Sequence, residues 1–84
     1  MANVTRVPRM ECWAKKGKNW EMTYGTTSDV EVWERLARDL MWRYMAKANY
    51  AKRVTETVYG NVRTVTIFDT SLNYPFKRIY TLPN

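Results

Sequence analysis

Apolar and polar residues alternate with a period of two on either side of Gly17 and again on either side of Gly60-Asn61, and between these regions the period lengthens to that of a helix. The first alternating region predicts a hairpin. With Lys16-Gly17-Lys18 as a three-residue loop, and Gly17 free to take a positive φ, Ala14 lies opposite Trp20, Cys12 opposite Met22 and Met10 opposite Tyr24. One face is then apolar, while Glu11, Lys15, Glu21 and Thr23 take the other, where Trp13 falls out of pattern.

Ser28-Asp29-Val30-Glu31 has the form of a capping box, and the helix it starts is expected to run from Asp29 to about Ala48. At 100° per residue, Val30, Trp33, Leu36, Ala37, Leu40, Met41, Tyr44 and Ala48 form a stripe able to cover a sheet. Glu31/Arg35, Glu34/Arg38 and Asp39/Arg43 are i,i+4 pairs in the favourable order. Trp42 falls on the opposite side from Trp33, among Arg35, Arg38 and Met45.

The second hairpin turns at Gly60-Asn61, so that Tyr59 faces Val62, Thr57 faces Thr64 and Thr55 faces Thr66, with Arg53 and Phe68 beyond them. Val54, Val58, Val65 and Ile67 occupy the other side, assigned to the helix, with Glu56 and Arg63 as diagonal partners. Residues 70–75 read as a loop and Phe76 to Leu82 as a last strand, whose alternation leaves open which set meets the core. The expected fold class is α+β and two-layered: one amphipathic helix on an antiparallel sheet of two hairpins plus a C-terminal strand, in the order β-β-α-β-β-β. A single domain spans residues 1–84, with 1–8 as an N-terminal arm.

Composition agrees with a folded chain of this size: 84 residues, 45% hydrophobic, with four Trp and six Tyr to enlarge the core. Cys12 is the only cysteine, which removes an internal disulfide and points to a reducing, cytoplasmic setting. No stretch has the length of a membrane span, so no membrane partner is expected. A net charge of +6 favours acidic partners, nucleic acid among them.

Catalysis is not expected. The chain has no histidine for proton transfer, Cys12 falls on a core face without a base to activate it, and the acids are dispersed or matched with Arg. The three glycines are isolated at turns and form no phosphate loop, and no cofactor or metal site is apparent.

Binding remains, and two surfaces suggest it. Trp42, with Arg38, Arg35 and Met45, combines the side chains most enriched at interface hot spots, and is the expected contact with another protein or with a second copy of the chain. The alternative is nucleic acid, met by the tip Lys15, Lys16 and Lys18 and by a sheet face bearing Trp13, Arg53, Tyr59 and Phe68. A basic, aromatic hairpin leading into a capped helix is similar to the arm-binding domains of phage-type integrases over the first 48 residues, a likeness of pattern that assigns no residue a role. The leading expectation is a non-catalytic module binding or inhibiting a protein, of the kind found among phage and mobile-element accessory proteins.

Overall fold

The computed structural model describes residues 7–45, 52–69 and 74–84, apart from the side chains of residues 42–45 and 52. The elements follow the order β1 (Arg9–Lys16), β2 (Asn19–Thr26), α1 (Asp29–Met45), β3 (Lys52–Tyr59), β4 (Val62–Asp69) and β5 (Phe76–Pro83). The five strands form one antiparallel sheet in the order β2-β1-β5-β4-β3, with α1 on one face, so the two-layer α+β architecture is as expected. The last strand lies at the centre, between the hairpins, and closes them into one sheet. The expected continuation of the helix to Ala48, the arm residues 1–6 and the loop residues 70–73 lie outside the described residues.

Both hairpins turn on glycine. Gly17 and Gly60 have φ of 64° and 62°, and each is the first residue of a two-residue turn, where a glycine with positive φ matches the twist of the flanking strands. The β3–β4 register is the predicted one, and Arg63 meets Glu56 at 2.6 Å.

The first hairpin differs from expectation. Its loop has two residues, and a bulge between Cys12 and Trp13 leaves Thr23 of β2 without an opposite partner: Cys12 pairs with Tyr24, but Trp13 pairs with Met22. Thr23 fastens the bulge by donating its hydroxyl hydrogen bond to the Cys12 carbonyl. Because side chains alternate with period two, this one extra residue inverts the faces of β2 beyond it. Tyr24 stays on the helix side, while Met22 and Trp20 move to the side away from the helix, opposite Trp13 and Lys15.

The core joins Met10, Cys12, Val32, Leu36, Val65, Ile67, Tyr80 and Leu82, with Leu40, Val54 and Phe76 against it. On β5, then, Phe76, Arg78, Tyr80 and Leu82 face the helix, and Lys77, Ile79 and Thr81 the opposite side. The helix meets this core through Val32, Leu36 and Leu40. Val30, Trp33 and Met41, assigned to the core from the pattern, are 68%, 45% and 52% exposed, and Ala37 is exposed beside them.

A polar lock explains the rotation. Arg78, at the centre of the helix-covered face, donates from Nε and Nη2 to the two oxygens of Asp39 at 2.8 and 2.9 Å, and Tyr80 donates its hydroxyl to Oδ2 at 2.5 Å. Asp69 of β4 is 3.6 Å from the same guanidinium. A charge in this position requires a partner, and only the helix face that carries Asp39 supplies it from above. Burial pushes the Tyr80 hydroxyl well above the ordinary tyrosine value, the Asp39 bond pushes it further, and the group stays a donor. Burial works against the Arg78 charge, but the hydrogen bonds and charge of Asp39 outweigh it and raise its pKa.

Removing the acid strands a charge inside, so Asp39→Ala is expected to lower unfolding free energy by about 3 kcal/mol in urea titrations. Adding Arg78→Met and Tyr80→Phe, which removes the two groups that Asp39 satisfied, is expected to recover part of that loss, the 3.6 Å contact of Arg78 with Asp69 being lost as well.

Candidate nucleic-acid interface

The sheet face away from α1 is covered by no described element, and the strand registers assemble a continuous row across it. Met22 of β2 lies opposite Trp13 of β1, Trp13 opposite Lys77 of β5, Lys77 opposite Phe68 of β4, and Phe68 opposite Arg53 of β3. Aromatic rings and cations therefore alternate along one line through four strands, β1, β5, β4 and β3, and Met22 extends the line onto β2. With strands about 4.8 Å apart, Trp13 and Phe68 stand roughly 10 Å from each other with Lys77 between them.

The cations lie over ring faces. Lys77 Nζ is 4.2 Å from the centre of Trp20, and the Arg53 guanidinium is 4.6 Å from the centre of Phe68. Trp13 donates its indole N–H to Glu11 at 3.2 Å, and Glu11 also meets Arg9 at 3.6 Å. Among the described residues Glu11 is the only acid on this face, against Arg9, Lys15, Arg53 and Lys77. The other acids of the described strands, Glu21, Glu56 and Asp69, point to the helix side. At the end of the face next to β2, Arg9, Glu11, Met22 and Gly25 line a shallow groove, open because Gly25 opposite Glu11 carries no side chain.

The predicted nucleic-acid residues fall mostly together. Trp13, Lys15, Arg53, Phe68 and Tyr59 share this face, Tyr59 at its far corner and 89% exposed. At the hairpin tip Lys18 is exposed, and Lys16 lies 3.6 Å from Glu21. Trp20, Met22 and Lys77 are members of the face that the pattern did not find. Lys77 required the position of β5, and the other two required the bulge.

Of the predicted protein-contact residues, two have described side chains. The side chains of Trp42 and Met45 lie outside the described residues, and Arg38 is exposed. Arg35 is engaged: its Nε donates to Glu31 at 2.9 Å, and its guanidinium lies over the Tyr24 ring at 5.1 Å. The capping box forms by half. Ser28 Oγ accepts the Glu31 N–H at 3.3 Å, but the Ser28 N–H donates to Thr26 Oγ1, and the Glu31 carboxylate takes the Tyr24 hydroxyl and Arg35 instead.

Burial pushes the Cys12 thiol up, only partly opposed by Arg78 and Arg35, which keeps it protonated in the core. Among the described residues no three His, Cys, Asp or Glu side chains gather to hold a metal ion, and no helix is long and apolar enough to cross a membrane. Comparison of the chain with family models, with curated proteins and with solved structures finds no match.

The Tyr24 hydroxyl, and then Arg35, hold the Glu31 carboxyl below the usual glutamate range. That contribution to stability is present above the ordinary glutamate pKa of about 4.3 and is lost as pH falls through the lower folded value. Tyr24→Phe is therefore expected to flatten the acid side of the stability–pH curve, followed by thermal melts between about pH 2 and 6.

Proposed function

We propose that this chain is a non-catalytic binding domain that holds single-stranded nucleic acid on the open face of its sheet. The observation that carries the reading is the row Trp13, Lys77, Phe68 and Arg53, aromatic and cationic by turns across four strands, with Met22 continuing it onto the fifth. Unpaired bases expose π-faces that stack on such rings whatever their sequence, and the phosphates between them need cations at strand spacing. A duplex hides its bases and would gain only the charge term.

Lys77 and Arg53 suit a handover. Each lies over a ring in the free protein, and a base arriving on that ring displaces it toward the phosphate that arrives with the base. The Thr carpet of β3 and β4, Thr55, Thr57, Thr64 and Thr66, offers hydroxyls along the same face without adding negative charge. An apolar stripe on the helix, at Val30, Trp33 and Met41, supports a separate role for a protein contact.

Fluorescence anisotropy with a labelled oligothymidylate tests the proposal. Binding at low salt is expected, with log K falling against log salt at a slope of roughly −2 if Lys15, Arg53 and Lys77 each neutralise one phosphate. Trp13→Ala and Lys77→Glu are each expected to weaken binding by roughly tenfold, the range for losing one stacked base or one phosphate contact. Absence of binding at low salt, or variants that bind like the parent, would overturn it.

A further inference from the structure

The rotation of α1 leaves an apolar stripe exposed along the helix: Val30, Trp33, Ala37 and Met41, spaced i, i+3, i+7 and i+11 over about 16 Å. Single exposed apolar residues need no explanation, but four in line on one helix face do. Their order is self-complementary. If the helix of a second copy runs antiparallel across the stripe, Trp33 of each copy meets the small Ala37 of the other, and Val30 of each meets Met41. Large side chains then fall on small ones in the middle layers, as close helix packing requires.

The flanking charges repeat the same symmetry. Glu34 and Arg38 lie beside the stripe on one side, four residues apart. In an antiparallel pair that flank faces its own copy, so Glu34 of each chain lies opposite Arg38 of the other, twice around the two-fold axis. A patch whose charges and volumes both reverse about one centre fits itself better than it fits an arbitrary partner.

The geometry points to a homodimer formed by antiparallel pairing of α1 through Val30, Trp33, Ala37 and Met41, with Glu34 and Arg38 setting the register. The stripe lies on the helix and the aromatic row on the other side of the sheet, so the dimer leaves both open sheet faces uncovered. Two such faces on one particle would engage two segments of a strand, or two strands, with a gain from effective concentration. The dimer stands without the nucleic-acid reading, since it is measured on the protein alone.

Sedimentation equilibrium of the full chain from about 5 to 200 µM tests it. A monomer–dimer equilibrium is expected for the parent, and a monomer throughout that range would overturn the proposal. Ala37→Glu, at an exposed helical position, is expected to remain folded by circular dichroism and to be monomeric; a dimer that survives this substitution would place the interface elsewhere. The charge test needs no assumption about folding of one variant. Glu34→Arg and Arg38→Glu should each weaken self-association at least tenfold, because four like charges then meet at the axis. Mixing the two variants should restore association as a heterodimer with both charge pairs rebuilt. Failure of the mixture to associate more tightly than either variant alone would overturn the antiparallel register.

Discussion

A charge on the covered face of the sheet governs the arrangement of this domain. Arg78 sits on the central strand between Cys12 and Ile67, on the covered face with Tyr80, where an unpaired guanidinium would be strongly destabilising. Asp39 answers it with both oxygens, and Tyr80 adds a third hydrogen bond to the same carboxylate. Hydrophobic burial alone would allow the helix to roll, since α1 has apolar residues on more than one side. The lock selects Val32, Leu36 and Leu40 for the core and sends Val30, Trp33, Ala37 and Met41 outward. One directional interaction thus decides which apolar face a non-directional force buries.

The bulge in the first hairpin has the same kind of influence on the other side of the sheet. One unpaired residue, Thr23, moves Met22 and Trp20 from the core to the open face. There Trp20 receives Lys77, and Met22 extends the row begun by Trp13. Tyr24, on the far side of the bulge, remains with the helix and anchors its first turn through Glu31. The same strand therefore serves the core side at one end and the proposed binding face at the other.

Much of this was legible in the chain. The second hairpin could be read residue by residue because Gly60-Asn61 sets a two-residue turn and the threonines and valines separate by parity. The common face of Trp13, Arg53, Tyr59 and Phe68 followed from the same parity. The bulge was not legible, since a slip of one residue leaves no mark in composition and the unbulged register also gave an apolar face. The roll of the helix escaped for a related reason. Periodicity ranks faces by apolar content, whereas the deciding term was a single long-range ion pair between Asp39 and Arg78. Lys77 joined the row only once β5 lay between β1 and β4.

The two faces exposed by these devices divide the proposed work: an aromatic and cationic sheet for nucleic acid, and an apolar helix stripe for a second copy. Nitrogen-15 spectra of the chain during titration with a short single-stranded oligonucleotide test the division most directly, because indole N–H groups report from both faces. On this division the Trp13 and Trp20 indole signals move with oligonucleotide while that of Trp33 stays in place. Movement of Trp33 with Trp13 and Trp20 unchanged would contradict it.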